Sequence, residues 1–208
     1  MKLIITIPAY NEEITIGKVI RGLPRQIPGV ETVQIIVVDD GSRDNTVRVS
    51  REAGADLVVS HHNVGLATNF KIALEEALKN QADIIVNIDA DGQYEPSEIY
   101  LLIKPILEGR ADIVSGDRQV KKLAHMPFSK KYGNMLGSWV VRRLSGLPIS
   151  DASSGFRAYS REAALKMNII SPHTYTHETI IQAGVKRLRM VEVPLLFGRR
   201  KEKEENRA

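Results

Sequence analysis

Short apolar runs, each followed by a segment with helical spacing, constrain this chain more than any other feature of its sequence. Leu3–Ile7, Val33–Val38, Asp56–Ser60, Ile84–Ile88 and Ala111–Ser115 read as strands. Between them, Ile16, Val19, Ile20 and Leu23 recur at helical spacing up to Pro24, and Asp44-Asn45-Thr46 offers capping oxygens for a helix to about Ala53. Ala67–Leu78 reads as a third helix, and Pro96 opens a fourth through Ile99, Leu102, Ile103, Ile106 and Leu107. A continuously apolar strand must be covered on both faces, and a helix after every strand supplies that cover. The chain through Ser115 therefore predicts an α/β layer built on a parallel sheet.

The second half is less regular. Tyr132–Leu144 predicts a helix with Trp139 and Val140 facing the core. Phe156–Tyr159 reads as a strand, Ser160 as the cap of a helix over Arg161–Met167, Glu178–Ala183 as a short helix and Met190–Leu195 as a last strand. No composition break divides the chain, so one domain is expected over 1–198, followed by a charged, frayed tail over 199–208.

Composition removes several classes of function. There is no cysteine, hence no disulfide, thiolate nucleophile or Cys-based metal site. The formal charge is only +4, from 29 basic and 25 acidic residues, too small an excess to indicate a nucleic-acid partner. The basic residues cluster late, at Lys121-Lys122, Lys130-Lys131, Arg142-Arg143 and Arg199-Arg200-Lys201, where a surface could meet an anionic headgroup or a phosphate. No run of about 18 apolar residues occurs, and the N-terminus reads directly as a strand, so any membrane contact is expected to be peripheral.

Ligands of an open parallel sheet sit beyond the carboxyl ends of its strands. Three of those ends carry unusual residues: Pro8-Ala9-Tyr10-Asn11-Glu12, Asp39-Asp40-Gly41-Ser42-Arg43-Asp44-Asn45-Thr46 and Asp89-Ala90-Asp91-Gly92-Gln93. If extended geometry persists past Ile88, a period of two sends Asp89, Asp91 and Gln93 to one side. Two carboxylates and an amide oxygen are hard ligands that suit Mg²⁺ or Mn²⁺, and three are too few for a protein-only cage. Mg²⁺ completes its shell from water and substrate phosphates, so the spacing predicts a metal shared with a diphosphate. Tyr10 offers a flat face and Glu12 an acceptor, which suits a nucleoside base and a ribose hydroxyl pair. Of Asp39 and Asp40, one carboxylate can accept from a base N–H while the other caps the turn through Ser42 and Thr46; the sequence leaves open which does which.

The ordered set PAYNEE, VVDDGSRDNT, DADGQ and SGFRAYSR resembles the family 2 glycosyltransferases, and within them the dolichyl- or polyprenyl-phosphate mannosyltransferase group, over residues 2–196. The resemblance implies a Rossmann-like GT-A fold, α/β, with a mostly parallel central sheet and helices on both faces. It implies an inverting transfer of a single hexose from a nucleoside-diphosphate sugar, GDP-mannose favoured and UDP-glucose the variant, to a polyprenyl phosphate. Pro8, Tyr10, Glu12 and Asp39 would line the nucleoside pocket, with Asp40, Gly65 and Ala90 beside them; Asp89, Asp91 and Gln93 would hold the divalent metal. Asp151, Ser154, Gly155, Phe156 and Arg157 would shape the sugar and acceptor side.

An acceptor phosphate is already largely ionised at neutral pH and needs no strong base; it needs cations to hold it in line. Arg118, Lys130, Lys131 and Arg157 are the candidates, with Arg199 and Arg200 next, and Arg118 joins the three metal-side residues in the catalytic set. Four departures from the family pattern stand out. Asn63-Val64-Gly65-Leu66-Ala67 carries no basic residue, leaving only the Gly65 backbone to approach a phosphate. The QxxRW motif of processive relatives is absent, which implies single-sugar transfer. The basic stretch after Pro194 becomes Lys201-Glu202-Lys203-Glu204. C-terminal membrane helices found in several relatives are missing, through truncation or because a partner supplies the anchor, and the expected location is peripheral, on the cytoplasmic face of the membrane.

His61, His62, His173 and His177 form no ligand motif of the H-E-x-x-H kind. Glu178 would be a general base if the acceptor were a sugar or protein hydroxyl instead of a phosphate. A nucleotidyltransferase would place a Gly-rich loop where Pro8–Glu12 stands. A non-catalytic nucleotide- or lipid-binding subunit would have no use for Asp89, Asp91 and Gln93 together.

Overall fold

In the computed structural model, residues 1–120, 128–171 and 174–198 are described. Among them, β1 (Lys2–Ala9), β2 (Thr32–Asp39), β3 (Leu57–Ser60), β4 (Ile84–Asn87), β5 (Ile113–Asp117), β6 (Arg157–Ser160) and β7 (Met190–Pro194) join in one sheet. The order is β3-β2-β1-β4-β6-β5-β7, and β6 alone runs antiparallel to its neighbours. The expected mostly parallel sheet is therefore present, and β6 inserts where the regular alternation of the first half ends.

The period of two decides what each face packs. Leu3, Ile5 and Ile7 of β1, Ile35 and Val37 of β2, and Ile84 and Val86 of β4 share one core with helices α1 (Ile16–Gly22) and α4 (Ile99–Leu107). The intervening Ile4, Ile36, Val38 and Ile85 face a second core with α3 (Leu66–Lys79), α6 (Arg161–Lys166) and α7 (Thr176–Val185). Helix α2 (Thr46–Glu52) adds Val49 to the first core, and α5 (Phe128–Ser145) adds Val141 to the second. A one-residue slip in any central strand would exchange its two sets, so the register is firmly specified.

Local rules account for most boundaries. Ser160 Oγ accepts from the Ala163 N–H at 3.2 Å, the N-cap expected from the sequence. β5 starts two residues later than expected, because the Ala111 N–H bonds the Pro105 carbonyl at the end of α4. Trp139 and Val140 correct the sequence reading more strongly: both face outward, Trp139 54% exposed, while Ser138 and Val141 are the residues α5 buries. Hydrophobicity alone selected the wrong side of this helix.

Candidate functional site

Because β1, β2 and β4 are parallel neighbours, their carboxyl ends meet at one sheet edge, as the motifs required. The loops after β1 and β2 are stitched into one structure. The Asn11 N–H donates to Ser42 Oγ at 2.8 Å and its side-chain oxygen accepts from the Arg43 N–H at 2.8 Å. The Glu12 N–H donates to Thr46 Oγ1 at 2.8 Å, and Glu13 Oε2 accepts from the Asn45 N–H at 2.9 Å. Gly41 sits at φ +75°, where a Cβ would come within 2.8 Å of the Asn63 backbone nitrogen. Only glycine suits that position.

A cavity of about 440 Å³ opens at this edge, and every donor-side residue named from the sequence except Asp39 lines it. The question left open between the two aspartates has a geometric answer. Asp39 is 1% exposed; its carboxylate accepts from the Ser42 N–H at 3.3 Å and from Ser60 Oγ at 2.7 Å, so it holds the turn. Asp39 therefore stands behind the cavity wall, and Asp40 is the aspartate of the pair that lines it. Asp40 accepts from the Val64 N–H at 2.7 Å and the Gly65 N–H at 3.0 Å while lining the cavity, and a carboxylate has lone pairs for a further donor. Tyr10, 43% exposed, presents its ring at the mouth, and Glu12 Oε2 accepts from Thr15 Oγ1 at 2.9 Å.

The Gly65 N–H is thus taken by Asp40 and does not reach outward. What remains on that wall is the start of α3. Gly65 is its N-cap, at φ 87°, no side chain caps it, and Leu66 joins Gly65 in the cavity wall. A helix N-terminus whose first N–H groups carry no side-chain cap is chemically suited to an anion.

Asp89 and Asp91 both line the cavity, but Gln93 does not. The extended geometry that would align the three stops at Asn87; Ala90 and Asp91 form a turn, closed by the Gln93 N–H donating to Asp91 Oδ1 at 3.0 Å. The Gln93 amide instead donates to the Gly198 carbonyl at 3.3 Å. Gln93 thus stands outside the cavity wall, with its amide nitrogen tied to the segment after β7. Among the described residues no three acidic or histidine side chains form a cage. Two carboxylate donors in an open cavity fit a hard divalent cation that completes its shell from substrate oxygens and water.

A buried brace beneath Asp89 escaped the sequence reading. Asn87 Nδ2 donates to the Gly155 carbonyl at 2.9 Å and to Tyr175 Oη at 3.1 Å, and the Tyr175 ring stacks on Phe70 at 3.8 Å. The Gly155 N–H donates to Tyr94 Oη at 3.3 Å. Burial, with the Asp89 charge next, pushes both phenols above their ordinary range. The asparagine ending the apolar run Ile84-Ile85-Val86-Asn87 was the one available signal; Tyr94 and Tyr175 gave none. A Cβ on Gly155 would lie 2.8 Å from both Asp89 carboxylate oxygens. Gly155→Ala is accordingly expected to displace that carboxylate and lower kcat by roughly 100-fold while leaving the nucleotide Kd nearly unchanged. Steady-state kinetics beside nucleotide titration checks it, and an unaltered kcat would remove Asp89 from the reacting end of the cavity.

The acceptor-side cations separate into different roles. Arg118 forks onto Asp151, Nε to Oδ2 at 2.6 Å and Nη2 to Oδ1 at 2.7 Å, and lies 5.2 Å over the Phe197 ring. Burial of Asp151 opposes its ionisation, yet the guanidinium outweighs this and holds the carboxyl below its usual range. Asn134 of α5 donates to Asp151 Oδ1 at 3.3 Å, which sets Lys130 and Lys131 one helical turn away from this pair. Arg157 contradicts its expected role as an acceptor contact. It is fully buried, with Nη1 donating to the Thr176 carbonyl and Thr179 Oγ1 and Nη2 to the Ala152 carbonyl, so it ties β6 to α7. Its β6 position points the side chain into the core, a fact hidden by treating every arginine as a surface cation.

Arg199, Arg200 and His173 lie outside the described residues. Glu178 accepts from the Ile170 and Ser171 N–H groups at 3.0 and 3.1 Å, which engages both its oxygens in holding a loop. His177 Nε2 meets Ser153 Oγ at 3.2 Å, and burial, then the Arg157 charge, lowers its pKa.

The profile of the family described as "Glycosyl transferase family 2" matches residues 4–167. The chain is 33% identical to the UDP-N-acetylglucosamine–dolichyl-phosphate N-acetylglucosaminyltransferase of Methanococcus voltae, covering 91% of this chain and 82% of that protein. It is 28% identical to the undecaprenyl-phosphate mannosyltransferase of Micrococcus luteus, covering 95% of this chain and 84% of that one. Among solved structures, the glucosyl-3-phosphoglycerate synthase of Mycobacterium tuberculosis, crystallised with Mn²⁺, UDP and phosphoglyceric acid, superposes with a TM-score of 0.75 at 23% identity over 97% of this chain and 71% of that chain. The sheet order and helix layers are those of the GT-A fold.

Proposed function

The chain belongs to glycosyl transferase family 2, and from that premise we propose that it moves a single hexose, with inversion, from a nucleoside-diphosphate sugar to a polyprenyl phosphate. The observation that carries the reading is one cavity in which Tyr10, Asp40, the start of α3 and the pair Asp89 and Asp91 stand together, near the clamped Arg118. Tyr10 and Asp40 take the base, Glu12 the ribose, and the α3 N-terminus the diphosphate. Asp89 and Asp91 would hold a divalent cation, which when bound offsets the charge that builds on the departing nucleoside diphosphate.

An acceptor phosphate oxygen bonds to the anomeric carbon from the face opposite the breaking carbon–oxygen bond, so configuration inverts and no covalent enzyme intermediate forms. The attacking oxygen carries no proton at neutral pH, in keeping with both oxygens of Glu178 being engaged elsewhere. Asp151 takes two of the guanidinium donors of Arg118 and fixes the plane of that cation, with Lys130 and Lys131 close by on α5. No helix among the described residues is long and apolar enough to cross a membrane, and a peripheral protein on the cytoplasmic face, working on a membrane lipid, fits this arrangement.

We favour GDP-mannose as donor, its sugar being the one the Micrococcus luteus relative's name carries; the Methanococcus voltae relative supports a UDP-sugar as the second reading. Thermal unfolding with GDP or UDP, with and without Mn²⁺, separates them: at 100 times its Kd the preferred nucleotide stabilises by about 2.7 kcal/mol. Purified protein with labelled donor is then expected to label undecaprenyl phosphate. Label found only in soluble glycans would overturn the acceptor, and free pyrophosphate released from a sugar phosphate and a nucleoside triphosphate would overturn the reaction class.

A further inference from the structure

Helix α5 is amphipathic in the reverse sense of a surface helix. Its 18 residues span about 27 Å, and the side it buries carries Ser138 and Val141. The outward side carries Phe128, 82% exposed, followed by Tyr132, Met135, Leu136 and Trp139. Those positions follow one another at intervals that return to one face of a helix, forming a continuous apolar stripe. At 100° per residue Lys131 and Arg142 fall beside Met135 on one edge of the stripe, and Arg143 lies within it near the carboxyl end. The helix has four basic residues and no acidic one.

We propose that α5 lies flat on an anionic phospholipid bilayer, with this stripe in the interface and Lys131, Arg142 and Arg143 among the headgroups. Apolar and aromatic residues on one side with basic residues along the edge are what an interfacial helix uses. A second copy of the chain fits less well, because pairing two such faces would oppose like charges. The tail 199–208 is no occupant either: its sole apolar residue is Ala208.

The inner face of the same helix reaches the site. Asn134 donates to Asp151, and Ser138 Oγ accepts from the Ala152 N–H at 3.0 Å, so α5 carries on one side the turn that holds Arg118 and on the other the surface that meets lipid. A bilayer under the stripe is therefore separated from the turn that holds Arg118 by the width of one helix, about 10 Å. The inference rests on the proposed function only for why a lipid surface is useful; the docking itself is measured separately.

Trp139 is the sole tryptophan, so its emission reports the stripe without a label. Flotation of the full chain with phosphatidylcholine vesicles is expected only when phosphatidylglycerol is included, with a blue shift of Trp139 and release by high salt. Phe128→Glu with Leu136→Glu is expected to weaken flotation by at least about tenfold, while nucleotide-dependent thermal stabilisation, the control for folding, is unchanged. Failure of the natural chain to float, or equal flotation of the double variant, overturns the proposal. So does a wild-type dimer that the double variant dissociates, since the face would then belong to a second copy. A chain that floats but labels no lipid phosphate supports the docking and overturns the acceptor instead.

Discussion

Asp91→Asn is expected to lower sugar transfer by about a thousandfold while the protein stays folded. The asparagine side-chain oxygen can keep the bond that Asp91 Oδ1 accepts from the Gln93 N–H at 3.0 Å, so the turn after β4 survives the exchange. What disappears is one of the two carboxylate charges in the cavity wall beside Asp89. Charge stabilisation of a departing diphosphate contributes several kcal/mol, and each 1.36 kcal/mol is a factor of ten in rate. Two readouts belong together: kcat for transfer, and the gain in nucleotide-dependent thermal stability on adding Mn²⁺, which should vanish. Gln93→Ala is the internal comparison. Its amide bonds the Gly198 carbonyl outside the cavity, so a loss of only a few-fold is expected. Turnover of Asp91→Asn within a few-fold of the natural chain would remove the cation from the proposed mechanism.

That comparison shows where sequence reasoning stopped. The sheet was legible because β1, β2 and β4 are apolar on both faces, a pattern few environments accept. The position of the site was legible because parallel strands must bring their ends to one edge. Side-chain direction past a strand end was not. The period of two that aligned Asp89, Asp91 and Gln93 holds only while the backbone is extended, and Gly92, at φ +72°, breaks it. Asp39 and Asp40 were equivalent as letters; only the position of Ser60 on the neighbouring β3 and of the Val64 and Gly65 N–H groups distinguishes them. Long-range partners decided Arg157 as well, since its carbonyl and hydroxyl acceptors come from residues 152, 176 and 179. On α5 the apolar pattern was read correctly as helical and wrongly as inward. Hydrophobic periodicity predicts that a face will be covered, and says nothing of whether protein or lipid covers it.

The largest effect on stability is expected at the pair Arg118 and Asp151, whose side chains are 13% and 1% exposed. Asp151→Asn leaves a guanidinium in a mostly dry site opposite a neutral amide, and removing one partner of such a pair costs about 3–5 kcal/mol. Urea unfolding measures this directly. Replacing both residues separates stability from chemistry. Arg118→Met with Asp151→Leu takes away the unpaired charge and is expected to recover most of the lost stability, yet transfer to lipid phosphate should stay as low as in Arg118→Met alone. Recovery of transfer together with stability would make the arginine a purely structural residue. The pH dependence has a defined sign. Asp151 ionises more readily folded than unfolded, so its contribution is complete above the ordinary aspartate pKa of about 3.9 and is lost as pH falls through the lower folded value. Asp151→Asn should therefore flatten the acid limb of the stability curve and leave the neutral region parallel to the natural chain. Glu192 accepts from the Ser150 and Asp151 N–H groups, and burial raises its carboxyl above the ordinary glutamate value. It is present in both proteins, and the difference between their curves isolates Asp151. A difference that does not begin to shrink as pH falls below the ordinary aspartate value of about 3.9 would mean that the carboxylate charge is not what holds Arg118 in place.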